Sequence, residues 1–200
     1  MRSLIASSVF RLTALVTLVS LTACSARFTA SVTTFHQWPP DAAGQTWRLV
    51  DPSGGQNRLE HAAYADLLRA TLLAIEMNEA SEDQAARFTV SLHYRSEATH
   101  IPRREPVDPF FYGNWGRPWG WGGYYTPTWL TVTQDAWRYV LTVTIHDSLQ
   151  DNAEVYRASA ISVSSENDLL PQAMPHLMRA IFEAFSGNNG AVRTVRYRHQ

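Results

Sequence analysis

The sequence predicts an α+β fold: a two-layer sandwich in which two helices cover a mostly antiparallel sheet of about six strands. Three observations carry that expectation. Several segments alternate apolar and polar residues with period two, as half-buried strands do. Two segments place apolar residues at helical spacing along one side. The segments follow one another as β-β-α-β, a long insertion, then β-β-α-β, and one core between sheet and helices buries both kinds of apolar face. The length of 200 residues and the hydrophobic content of 45% suit one domain of ordinary size.

Each element has its own signal. Phe28 to Phe35 (Phe-Thr-Ala-Ser-Val-Thr-Thr-Phe) is rich in β-formers and reads as a strand, broken by Trp38-Pro39-Pro40-Asp41. Thr46 to Val50 is a second short strand, closed by Asp51-Pro52-Ser53-Gly54-Gly55. Residues 59–77 read as a helix, because Tyr64, Leu67, Leu68, Leu72 and Ile75 share a side opposite Asp66, Arg69 and Glu76. Residues 87–95 alternate, with Phe88, Val90, Leu92 and Tyr94 on one face. Ala136 to Asp147 does the same with Trp137, Tyr139, Leu141, Val143 and Ile145. Asp151-Asn152 marks a turn, and Glu154 to Ser164 reads as the hairpin partner. The second helix has a stripe of Leu170, Met174, Leu177, Met178, Ile181, Phe182 and Phe185, with Gln172, His176, Arg179 and Glu183 opposite. Pro175 predicts either a kink or a start of the helix near it, and Gly187 suits the position just past its end. Val192 to Tyr197 is the last strand.

The amino terminus has a different character. Arg2 and Arg11 precede the apolar run Leu12 to Leu21, too short to span a bilayer and of the right length for the core of a signal peptide. Leu21-Thr22-Ala23-Cys24 follows and resembles the bacterial lipobox, in which an aliphatic and two small residues precede the Cys that receives a diacylglyceryl thioether. The organisation expected is therefore a signal peptide over 1–23, a lipidated tether over 24–27, and one domain over 28–200. Cys24 is the expected lipidation site, and two or more acyl chains anchor stably where one does not. Ser25 stands where, in the sorting rule of such lipoproteins, Asp favours the inner membrane; its presence implies the outer membrane, facing the periplasm. A tether this short, roughly 15 Å at 3.3–3.6 Å per residue, keeps the domain close to the membrane.

Ser96 to Asp135 interrupts the pattern with almost no periodicity, and long structureless segments in compact domains are often functional. Residues 110–129 hold nine aromatics, five Gly and two Pro, including four of the seven Trp. Trp115, Trp119, Trp121, Tyr124, Tyr125 and Trp129, with Arg117 among them, form the candidate contact surface for a partner protein, lipid headgroups or a glycan. Aromatic rings supply adhesive, amphipathic area and glycine supplies freedom. A flexible low-complexity loop, or one folded back over the sheet, is the alternative.

Charge and motif content exclude several classes. All 17 basic residues are Arg, against 18 acidic ones. Removing residues 1–23 takes away two Arg and no acid, so the mature part is more acidic still and nothing favours nucleic acid. With Cys24 the only Cys, neither an intramolecular disulfide nor a Cys-based metal site can form. Nucleophile-elbow, zinc-protease and phosphate-loop motifs are absent, so neither enzyme activity nor a cofactor or metal is expected. His93 and His146 could meet on neighbouring strands, but no acidic third ligand accompanies them. His176 falls on the solvated side of its helix. Asp147 and Asp151 read as turn residues rather than as an acidic pair.

Over residues 27–197 the chain resembles the proteobacterial lipoprotein family called domain of unknown function 4136. The resemblance rests on Phe28-Thr-Ala-Ser-Val-Thr-Thr-Phe-His-Gln-Trp, Thr46-Trp-Arg-Leu-Val, Tyr64-Ala-Asp-Leu-Leu and Phe88-Thr-Val-Ser-Leu-His-Tyr before an aromatic, Gly-rich loop. It continues in Tyr139-Val-Leu-Thr-Val-Thr-Ile-His-Asp, Val155-Tyr-Arg-Ala-Ser-Ala and Met174-Pro-His-Leu-Met-Arg-Ala-Ile-Phe-Glu-Ala-Phe. The chain departs from the family pattern at Tyr156-Arg-Ala and at Ala86-Arg87. The resemblance implies a lipid-anchored envelope protein with a compact α+β domain and transfers no catalytic residue. The function expected is a binding or assembly accessory of the cell envelope. A lipid- or glycan-binding module is the second expectation, and an envelope hydrolase is disfavoured.

Overall fold

The computed structural model describes residues 27–50, 58–107, 128–166, 169–185 and 189–198. The elements in chain order are β1 (Arg27–His36), β2 (Thr46–Val50), α1 (Arg58–Ala74), β3 (Asn78–Glu79), β4 (Phe88–Val107), β5 (Thr128–Asp147), a 3-10 turn (Ser148–Gln150), β6 (Ala153–Ser164), α2 (Leu170–Phe182) and β7 (Val192–Arg198). The α+β class agrees with the sequence pattern. The sheet has seven strands rather than about six, in the order β3-β2-β4-β5-β6-β1-β7. The extra strand is β3, two residues that are too few to show any pattern. The direction of β2 is also unexpected: it runs parallel to β3 and to β4, and every other pairing is antiparallel.

Alternation along the strands builds one layer of the core. Ala30 and Val32 of β1, Phe88, Val90 and Leu92 of β4, Tyr139, Leu141, Val143 and Ile145 of β5, and Tyr156, Ala158 and Ala160 of β6 are all buried in a single cluster. The helices bring the other layer. Tyr64, Leu68 and Leu72 of α1 and Met174, Leu177, Met178, Ile181 and Phe182 of α2 join the same cluster, at the positions their periodicity assigns. Leu67, Ile75, Leu170 and Phe185 lie at its margin. Pro171 sits in the first turn of α2, and Pro175 lies inside the helix rather than at its start.

The end of α1 departs from custom. The Met77 N–H bonds the Leu72 carbonyl at 3.0 Å and the Glu76 N–H bonds that of Leu73 at 3.0 Å. These are the two hydrogen bonds of a Schellman motif, which usually has glycine in its left-handed position. Here that residue is Glu76, with φ of 65°.

The largest correction concerns Ser96 to Asp135. Its two flanks are strand. β4 and β5 pair in one register from Phe88↔Asp147 to Val107↔Thr128, and the rest of the segment, residues 108–127, lies outside the described residues. β6 accompanies β5 only as far as Trp137↔Ser164, and β2 accompanies β4 only as far as Val50↔Ser91. Beyond Ala98↔Trp137 the hairpin continues alone for nine paired rows, roughly 30 Å at about 3.4 Å per residue. This two-stranded arm, Thr99–Val107 with Thr128–Ala136, projects from one end of the sheet.

Candidate contact surface

The arm is held by its ladder and by polar contacts along its length. His100 Nδ1 lies 3.0 Å from Asp135 Oδ1 on the opposite strand. Arg103 and Glu105 approach to 3.7 Å on the same strand. Strand register assigns Thr99, Ile101, Arg103 and Glu105, with Leu130, Val132 and Gln134, to one face. His100, Pro102, Arg104 and Pro106, with Trp129, Thr131, Thr133 and Asp135, share the other. Charged or polar groups therefore occur on both. Trp129, expected within the aromatic loop, is the second residue of β5; it is paired with Pro106 and 55% exposed. Leu130 beside it is equally open. Of the other expected contact residues, Trp115, Trp119, Trp121, Tyr124, Tyr125 and Arg117 lie outside the described residues, as does Cys24.

Register also places the start of β1. Ser31 pairs with Ile161 and His36 with Tyr156, so β1 begins level with the last residues of β6. β6 ends at Ser164 opposite Trp137, where the arm departs. Arg27, the fourth residue of the expected tether, therefore lies at the arm end of the sheet. A cleft of about 460 Å³ opens beside it, lined among others by Phe28, Tyr139, Val163, Leu169 and Gln172. The Tyr139 hydroxyl fixes its floor, donating to the Glu166 carbonyl at 2.9 Å and accepting from the Leu169 N–H at 3.1 Å.

The two faces of the sheet differ. The helices cover the face just described. Odd-numbered residues of β1 and β4, with their partners, form the other face; no described helix packs over it, and only at its β2 end does the loop before β4 cross it, where Arg48 Nη2 donates to the carbonyls of Ser81, Glu82 and Gln84. Its cross-strand rows read His93, Thr142, Ser159, Thr33, Val192 and then Arg95, Val140, Ile161, Ser31, Thr194. Short hydroxyl side chains dominate; Thr142 Oγ1 and Ser159 Oγ are 3.1 Å apart. Phe35, Ile161, Val163 and Val192 are exposed apolar residues on this face. Arg95, Arg138, Arg157 and Arg196 are exposed as well. Arg95 pairs with Glu97 and Arg157 with Glu154, whereas Arg138 and Arg196 make no ion pair among the described residues.

At the opposite end of the sheet lies an ionic cluster that sequence reasoning missed. The Arg87 guanidinium donates through Nε to Asp147 Oδ1 at 3.1 Å and through Nη2 to Oδ2 at 2.9 Å. Its Nη1 reaches the Asp41 carbonyl at 3.1 Å and Nη2 reaches Asp41 Oδ1 at 3.0 Å. Asp147 is wholly buried. Its carboxylate also accepts the Leu149 N–H at 3.0 Å, capping the 3-10 turn. The Arg87 hydrogen bonds hold the Asp147 carboxyl below the ordinary carboxylate range against the opposing effect of burial, and the Leu149 N–H assists. The cluster ties the loop after β1 to the end of β5 and the entry to β4. Asp147 is thus a turn residue, as expected, and also the anchor of an ion pair.

The histidines do not assemble a centre. His93 and His146 share the uncovered face, but His93 pairs with Thr142 and His146 with Thr89, four residues apart along β4, or about 13 Å. Among the described residues no group of three His, Cys, Asp or Glu could hold a metal ion. His176 is not on a solvated side: its ring lies 4.9 Å from that of Phe28 and 5.8 Å from that of Tyr197. It wedges α2 against β1 and β7. Among the described residues no helix is long and apolar enough to cross a membrane.

The family described as Domain of unknown function (DUF4136) matches residues 31–185, and the chain belongs to it. No curated protein matches the sequence. Several solved structures are similar to the fold, among them these two. The PelC dodecamer from Paraburkholderia phytofirmans is 12% identical with a TM-score of 0.43, over 76% of this chain and 94% of that one. A PDZ domain protein from Parabacteroides distasonis is 8% identical with a TM-score of 0.48, over 90% of this chain and 41% of that one.

Proposed function

We propose that this DUF4136-family chain is a lipoprotein anchored through Cys24 to the outer membrane, facing the periplasm, where it serves as a binding or assembly accessory of the cell envelope. The observation that carries the reading is the lipobox Leu21-Thr22-Ala23-Cys24 at the end of a signal-like apolar run, directly before the first strand. The contact is made by the aromatic segment with Trp115, Trp119, Trp121, Tyr124, Tyr125 and Arg117, together with Trp129 at its boundary. An arm of roughly 30 Å that ends at Val107 and Thr128, the two residues flanking that segment, and carries exposed Trp129 near its tip supports this.

A second reading has the same segment contacting lipid headgroups or glycan. The shared placement of Arg27 and the arm at one end of the sheet favours it. Photo-crosslinking in cells separates the two, with a photoreactive aromatic in place of Trp119. A discrete protein adduct is expected. Adducts with lipid or glycan alone would transfer the assignment to the second reading, and no adduct of any kind would remove the segment as a contact surface.

A further inference from the structure

We propose that the uncovered face of the sheet lies against an anionic membrane surface, so that the domain rests flat on the leaflet that anchors it. The inference deepens the anchoring reading above and rests on it. Three constraints lead to it.

The first is the tether. Only three residue steps separate Cys24 from Arg27, about 10 Å when fully extended, so the arm end of the sheet stays near the membrane. The second is the arm, which leaves that same end and runs roughly 30 Å farther. If the domain stood on end, the arm would pass into the hydrocarbon. It cannot reside there: Arg103 and Glu105 lie on one face, His100, Arg104 and Asp135 on the other, and the outer strand edges have no described partner. The strands must therefore run along the membrane plane.

The third constraint chooses the face. Residues 58–79 and 169–185, which form the helix layer and the edge strand beside it, carry five carboxylates against three Arg. The uncovered face carries Arg48, Arg95, Arg138, Arg157 and Arg196 against Glu97 and Glu154, with Glu82 and Asp83 on the loop that Arg48 holds. Anionic headgroups repel the first and attract the second. Phe35, Ile161 and Val163 stand among those Arg side chains and can enter the headgroup boundary, while the Thr and Ser rows offer hydroxyls to headgroup oxygens.

The test uses the full processed chain. Acylation consumes the Cys24 thiol, so Val163→Cys on the uncovered face and Leu73→Cys on an exposed position of α1 each introduce a single thiol for a nitroxide label. The labelled proteins are reconstituted in phosphatidylglycerol–phosphatidylethanolamine vesicles, and label accessibility to a water-soluble relaxation agent is measured. Accessibility at 163 should fall several-fold relative to detergent, and that at 73 should not change. Arg138→Glu with Arg196→Glu should abolish the fall, whereas Arg138→Lys with Arg196→Lys should preserve it. Protection at 73 instead, or at neither position, overturns the proposal. So does protection at 163 in detergent that rises with protein concentration, which would mean that a second copy covers the face. The mass of the amino-terminal peptide keeps the two failures apart. Unmodified Cys24 would bring down the anchoring reading together with this one, whereas acylated Cys24 with both positions open would bring down only this one.

Discussion

The body of the sheet and the arm are built from the same two strands in one unbroken register, yet different forces hold them. In the body, β4 and β5 lie between β2 and β6, and Leu92, Leu141, Val143 and Ile145 are buried beneath the helices. In the arm the same strands have only each other, and Trp129 and Leu130 stand in solvent. Backbone pairing is constant along the hairpin while burial falls away from Tyr139 through half-buried Trp137 to exposed Leu130 and Trp129, Ala136 being the one fully buried residue among the described positions of the arm. Isolated two-stranded ribbons are marginal in water. The arm therefore persists because the body fixes its register.

The comparison breaks most visibly at the far end of the body, where the ion pair clamps β4 to β5. Asp147→Ala leaves the Arg87 guanidinium buried with one partner gone, and the loss should be about 3–5 kcal/mol, read from the denaturant midpoint. The pair also makes stability acid-sensitive. Because the Asp147 carboxyl is held low in the folded state, the unfolded chain binds more protons as the pH falls. Its contribution is complete at neutral pH, drains as the pH passes below 3.8, the ordinary value, and is gone below the folded-state value. The variant should accordingly show a flatter acid limb.

Matched truncations sharpen the contrast between the regions. Leu141→Ala in the body should cost about 2–5 kcal/mol through a cavity. Leu130→Ala, eleven residues earlier on the same strand, should stay within about 0.5 kcal/mol. Equal costs in the same denaturation experiment would mean that something covers the arm. The smallest expected effect lies in the helix layer: Glu76→Gly relieves a left-handed residue and should stabilise by about 1 kcal/mol, seen as a higher melting temperature.

Legibility in the sequence follows the same division. Burial on one face writes period two into β1 and β5 and the helical stripe into α2, and these elements were foreseeable within a few residues; β6 was foreseeable in extent, but its alternating Ile161 and Val163 stand exposed while Tyr156, Ala158 and Ala160 enter the core. The arm has polar groups on both faces, and Pro102 and Pro106 look like breakers, so its flanks read as loop. Nothing local in β2 reveals a parallel partner some forty residues on. The Arg87–Asp147 pair spans sixty residues; Ala86-Arg87 showed only as a departure from the family pattern, and Asp147 only as turn chemistry. His176 sat on the polar side of a wheel, which cannot register the rings of Phe28 and Tyr197 arriving from two other strands. For the aromatic segment the composition is the whole of the signal, since those residues lie outside the described ones.

The two prolines of the arm have a consequence of their own. An unaccompanied ribbon presents two raw edges, each a row of donors and acceptors on which another extended chain could build. Along β4 that row is broken twice, because Pro102 and Pro106 have no N–H to offer. Along β5 the stretch from Thr128 to Ala136 contains no proline and alternates Thr with Leu and Val. The arm is thus sealed against strand addition on one side and receptive on the other, so a partner that extended the ladder would join it in a single, directional way.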